Sequence, residues 1–121
     1  WYLDCWDEVR LFMSEKPVGP WIEHPMSPVV SNATCSRPAG RVFFYQGHWI
    51  RPAQDCSRGY GVGIRFQKIT LLDQKSYAEE TIGDAYPNSA SEHMGIHTWS
   101  IIGDKVFFDS KRKVSRFKWK K

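Results

Sequence analysis

The sequence predicts an all-β chain of short antiparallel strands grouped into four-stranded units. Three observations carry this. Short runs rich in Val, Ile, Phe, Tyr and Trp are cut by Gly, Pro, Asn and Asp clusters throughout the 121 residues. Residues 62–67 alternate apolar and polar side chains with the period of a half-buried strand. A hairpin pattern over residues 41–51 returns near residues 97–109, roughly 55 positions later, with Val-Phe-Phe in both copies.

Val9 to Met13 reads as a strand, and the Ser-Glu-Lys-Pro-Val-Gly-Pro stretch after it as a turn. Residues 20–32 hold three prolines in nine positions, which suits an extended connection rather than a helix. Arg41–Tyr45 and His48–Arg51, separated by Gln46-Gly47, predict a hairpin. Gly61–Ile69 is the clearest strand, with Val62, Ile64 and Phe66 on one face. Ser76–Ile82 contains a helix-friendly Ala-Glu-Glu, but the strand before it and the loop after it favour a fourth strand. His97–Ile102, the Gly103-Asp104 turn and Lys105–Asp109 then open the pattern again. Four short antiparallel strands per repeat, at periods of about 40 to 50 residues, are how β-propeller blades are organised. The expectation is a partial propeller of two to three blades over residues 1–110, followed by a basic tail or last strand over 111–121.

Charge divides the same way. Seven of the 17 basic residues lie at positions 111–121, so the rest of the chain holds ten against 13 acidic residues, a net of −3. A mildly acidic body argues against a nucleic-acid binder that uses its whole surface. The tail, with Phe117 and Trp119 among its cations, carries the alternative of a small basic β protein that binds polyanions, in which case affinity should fall steeply with salt. A purely structural or assembly role is a third reading.

Cys5, Cys35 and Cys56 are an odd number without a CxxC, so reduced thiols are expected, which favours a cytoplasmic setting. Four histidines and three scattered cysteines give no metal-ligand spacing, and neither a metal nor a cofactor is expected. No apolar run approaches the roughly 20 residues that span a bilayer. The chain begins Trp-Tyr-Leu without a methionine, which suggests that its start is cut or processed from something longer.

The densest chemistry lies in Arg-Pro-Ala-Gln-Asp-Cys-Ser-Arg-Gly-Tyr-Gly, residues 51–61, read as a polar loop between two strands. Arg51 offers a planar fork of donors, Gln54 a donor and an acceptor, and Asp55 an acceptor for sugar hydroxyls. As a plain turn, Asp55 would instead accept backbone N–H bonds and pair with Arg51. Glycoside hydrolysis needs two carboxyl groups. Asp55 is one, and the other is Glu79 or Glu80, only one of which a strand can put on a given face. Asp55 and Glu80 are taken as the candidate catalytic pair. Cys56 with His97 would make a thiol nucleophile, but no thiol-enzyme signature surrounds it and a buried structural role is expected. His24 is expected to be a packed surface residue. The glycines at 59, 61 and 63 match no phosphate-binding pattern and read as a turn with a close backbone approach.

Trp-Ile-Glu-His-Pro-Met-Ser-Pro, Arg-Pro-Ala-Gly-Arg, the 49–69 stretch and Gly-Ile-His-Thr-Trp, in this order, resemble the N-terminal propeller domain of glucosamine inositolphosphorylceramide transferases and their bacterial relatives. That domain is similar to the five-bladed propellers of furanosidase-type glycoside hydrolases. The resemblance implies a glycan as partner and a sugar site at the channel mouth. It places Arg37, Arg51, Gln54, Tyr60 and His97 there as binding residues, beside Asp55. An incomplete blade array also implies self-association or completion by another chain.

Overall fold

The computed structural model describes residues 7–88, 90 and 92–114, and these contain strands and turns but no helix. The chain is all-β and every strand pairing is antiparallel. The strand expected over 9–13 is broken in two, β1 (Glu8–Val9) and β2 (Phe12–Met13). These pair with β4 (Val30–Ser31) and β3 (Ile22–Glu23), so the proline-rich stretch is the returning arm of an irregular ribbon. At the break, the Ser27 hydroxyl accepts from Leu11 N (3.0 Å) and donates to Leu11 O (3.2 Å), while His24 N donates to Leu11 O (2.8 Å). His24 is buried rather than at the surface. Its Nδ1 accepts from Met26 N (3.2 Å), so the Nε2–H donates to Asp73 O (3.0 Å) and ties the ribbon to the main sheet.

The main sheet has the order β5 (Phe43–Tyr45), β6 (His48–Asp55), β7 (Gly63–Leu72), β8 (Tyr77–Ala85). Gln46 and Gly47 join β5 to β6 with φ of 47° and 83°, the two positive values of a type I′ turn. β6 does not end at Arg51. It runs through Pro52 to Asp55, because the irregular segment 37–39 takes over where β5 stops: Ala39 N donates to Pro52 O (2.9 Å) and Gln54 N to Arg37 O (2.7 Å). Pro52, which has no N–H, therefore faces this irregular neighbour and leaves the β7 ladder intact. Half of the stretch expected to be a loop is thus central strand.

A second hairpin, β10 (Trp99–Ile102) and β11 (Lys105–Phe108), turns at Gly103, whose φ is 63°. β9 (His93–Gly95) pairs with β12 (Lys111–Arg112), so the tail begins as a strand. Positions 115–121, with Phe117 and Trp119, lie outside the described residues, as does Cys5.

The core lies between one face of the sheet and the segment leading into β10. Ala39, Ile64 and Ile96 are buried together, with Phe66, Ala85 and Trp99 packed on them. Phe66 meets Trp99 edge-on at 5.0 Å. The seam between sheet and hairpin opens into an apolar cleft of about 290 Å³, lined in part by Phe43, Ile50, Phe66, Ile82, Trp99 and Val106. The described strands form one four-stranded sheet with two-stranded ladders beside it, and they do not close a ring.

Candidate functional site

Register decides which polar groups meet. Arg51 pairs with Gln67, Ala53 with Arg65 and Asp55 with Gly63, so these six share one face of the sheet. Ile50, Pro52, Gln54, Ile64 and Phe66 share the other. Arg51 and Asp55 lie on the same face but four residues apart, roughly 13 Å along the strand. The expected ion pair between them does not form. Arg51 instead grips Glu79, through Nε to Oε2 (2.8 Å) and Nη2 to Oε1 (2.6 Å). Its remaining donors reach Cys35 O (2.7 Å) and Ser36 O (3.2 Å), and Tyr77 donates to Glu79 Oε2 (2.5 Å). Burial, reinforced by the Glu79 carboxylate, pushes the Tyr77 hydroxyl's pKa well up. Both partners of the Arg51–Glu79 pair are more than nine-tenths buried. Satisfied and sealed in this way, Arg51 acts as a structural clamp.

Glu80 points to the opposite face, where it is exposed and pairs with Lys68. The Asp55–Glu80 pair expected for glycoside hydrolysis is therefore not brought together, since the sheet separates the two carboxyls. Glu79 does share the face of Asp55, but Arg51 occupies it.

Asp55 ends β6 and holds the following turn. Its Oδ1 accepts from Ser57 N (2.9 Å) and Ser57 Oγ (2.6 Å), and its Oδ2 from Tyr86 OH (2.6 Å). Arg65 Nε stands 3.6 Å away, too far for a hydrogen bond but close enough to add charge. Burial pushes the Asp55 carboxyl up, but the Ser57 and Tyr86 donors and the Arg65 charge bring it below its ordinary value. Tyr86 and Arg65 were missed from sequence. The available signal was Gly63: a Cβ there would collide with the Tyr86 ring, which is the close approach expected from the glycine spacing.

The turn then delivers Tyr60 to the surface. Gly59 and Gly61 have φ of 131° and 59°, and a Cβ on Gly61 would run into the His97 imidazole. The Arg37 guanidinium lies 5.0 Å over the Tyr60 ring, and the His97 ring is 4.9 Å from it, tilted by 31°. Lys111 Nζ donates to Tyr60 O (3.0 Å). Arg37, Tyr60 and His97, three of the five expected binding residues, thus come together at one exposed corner. Gln54 is buried beside them, joined through its backbone to Arg37 and approached by Cys56 Sγ at 3.9 Å. Asp109, not expected from sequence, accepts from His97 N (2.9 Å) and from His97 Nδ1 (3.1 Å). Burial acts to raise the Asp109 carboxyl, but the His97 and Thr98 donors outweigh it and its pKa is lowered. Cys35 and Cys56 are free and buried, and burial pushes the Cys35 thiol up, away from the reactive thiolate.

A pH dependence follows. Carboxyls whose pKa falls on folding add stability that is complete above the unfolded value, about 4, and is lost as pH drops through the folded values. The denaturation midpoint should fall below pH 4 as these carboxyls are protonated. Asp55→Asn should make that fall shallower, and an unchanged acid profile in this variant would show that the Asp55 contacts do not matter to folding.

Comparison with known proteins places these residues in context. Residues 5–116 match the family model described as glucosamine inositolphosphorylceramide transferase 1, N-terminal. Over 74 residues, 60% of this chain, the sequence is 36% identical to glucosamine inositolphosphorylceramide transferase 1 of Oryza sativa subsp. japonica. It is 34% identical over the same length to the protein of that name from Arabidopsis thaliana. Each match covers 10% of the relative's length. No solved structure matches. With the family model spanning nearly all of its residues, the chain belongs to the family of glucosamine inositolphosphorylceramide transferase 1 N-terminal domains.

Proposed function

We propose that this chain is a glycan-binding part of a β-propeller, whose binding corner is built by Arg37, Tyr60 and His97 with Gln54 behind them. The observation that carries the reading is an exposed tyrosine flanked by a guanidinium and an imidazole at the end of a blade-like sheet. Aromatic edges beside forked donors suit a polyol, which offers apolar C–H patches and hydroxyls together. The four-stranded antiparallel order β5-β6-β7-β8, followed by the start of a second unit, supports the propeller. Relatives named for transfer of glucosamine to inositolphosphorylceramide support a saccharide as the ligand class. Binding is favoured over hydrolysis, because Asp55 and Glu80 are on opposite faces and Glu79 is sealed by Arg51.

Titration with glucosamine, myo-inositol and inositol phosphate, followed by amide chemical shifts, tests this. Shifts should concentrate at residues 37, 54, 60 and 97, and Tyr60→Ala should weaken binding about tenfold or more without changing the melting temperature by more than a few degrees. Binding that is untouched by Tyr60→Ala, or no binding by any of the three, would refute the assignment.

A further inference from the structure

We propose that Asp109 is a positioning residue that fixes His97 as the Nδ1–H tautomer, so that Nε2 presents an acceptor lone pair to a hydroxyl of the ligand. The proposal rests on the glycan reading above and names one hydrogen bond within it.

Asp109 follows β11 and His97 precedes β10, so the hairpin brings the two to its open end. The carboxylate is placed independently of the imidazole. Its Oδ1 accepts from His97 N (2.9 Å), Thr98 N (2.7 Å) and Thr98 Oγ1 (3.1 Å), which leaves Oδ2 to meet His97 Nδ1 at 3.1 Å. An ionised carboxylate only accepts, so Nδ1 must carry the proton, and in the neutral ring Nε2 is then the acceptor. Nε2 is buried, and among the described residues it has no hydrogen-bond partner. Buried polar atoms without partners are uncommon and expensive. A ring flip that moved Nε2 would break the Nδ1 bond to Asp109 and turn Nδ1 toward the Gly61 backbone, which packs against the present Cδ2 edge.

Tyr60, 39% exposed, lies beside the imidazole, with ring centroids 4.9 Å apart and planes tilted by 31°. A ligand that displaces the Tyr60 ring would meet this lone pair at the corner formed by Arg37, Tyr60 and His97. The lone pair selects a neutral donor, such as a sugar or inositol hydroxyl, and repels an anionic oxygen. A hairpin staple alone would need only the backbone bonds to Asp109 Oδ1. The Nδ1 contact adds a defined polarity to the ring.

Imidazole nitrogen NMR reads this directly. The wild-type protein with a neutral His97 should show the proton on Nδ1, and saturating glucosamine or myo-inositol should shift the Nε2 signal. In Asp109→Asn the amide can donate to Nδ1, so the proton should move to Nε2 and affinity should fall about tenfold or more. His97→Asn keeps a donor to Asp109 but removes Nε2. It should melt like wild type and lose the same affinity, which guards against Asp109→Asn failing to fold. A wild-type proton on Nε2, or full binding by His97→Asn, would overturn the proposal. If no saccharide moves any wild-type signal, the glycan reading fails and the ligand half of the proposal with it, while the tautomer stands or falls on the Nδ1 signal alone.

Discussion

Glu79→Ala should lower stability by about 3–5 kcal/mol, the range expected when one member of a buried ion pair is removed and the other left behind. Arg51 and Glu79 have 9% and 8% of their side chains exposed, so water cannot replace the lost carboxylate. The orphaned guanidinium would keep Cys35 O and Ser36 O, and the Tyr77 hydroxyl would lose its acceptor at Glu79 Oε2. Urea unfolding should show a lower midpoint with an unchanged slope. Glu80→Ala is the control: its partner Lys68 is a surface pair, worth at most about 1 kcal/mol. Replacing Arg51 and Glu79 together by Met and Leu should recover part of the loss, since the desolvation cost of both charges disappears while Cys35 O, Ser36 O and the Tyr77 hydroxyl lose their partners. Equal costs at 79 and 80 would mean that Arg51 is not the clamp the geometry describes.

That clamp also shows where sequence reading reached its limit. Period and turn chemistry were legible: Gln46-Gly47 and Gly103-Asp104 do turn hairpins, and Ile64 and Phe66 do face the core. Both signals are local, set by two or three neighbouring residues. The extension of β6 through Pro52 was not legible, because its partner is the irregular segment 37–39 and no local preference announces a strand that pairs with a loop. The exchange of Asp55 for Glu79 as the partner of Arg51 has a similar cause. Two residues four apart look close in sequence, but on a strand they are separated by roughly 13 Å, whereas the diagonal neighbour across two ladders is close at hand. A bulge between Ile69 and Leu71 shifts the β7–β8 register, so counting from the turn would not have shown which glutamate faces Arg51. At the proposed binding corner, Arg37, Tyr60 and His97 are legible through resemblance to the family. Asp109 carries no motif of its own, and its role depends on a hairpin closing.

The chain should associate through β11, and Phe107→Lys should convert the associated species to monomer. Among the described residues β11 pairs with β10 on one edge only, and Val106, Phe107 and Phe108 are 46%, 51% and 57% exposed, so apolar side chains stand on both faces of that edge. No proline, bulge or central charge blunts that edge, the devices by which edge strands usually avoid partners. A second copy fits it by symmetry. When two β11 strands lie antiparallel about Phe107, Lys105 of each faces Asp109 of the other and Val106 faces Phe108, so charge and apolar positions match under a two-fold axis. Lysine at 107 would set two like charges directly opposite each other at that axis, and it costs little in the isolated chain because Phe107 is half exposed. Sedimentation at micromolar concentration should show a dimer for wild type and a monomer for Phe107→Lys, with melting temperatures measured alongside to confirm that the variant is folded. A monomeric wild type would end the idea, and a dimer that survives the lysine would place the contact on another surface.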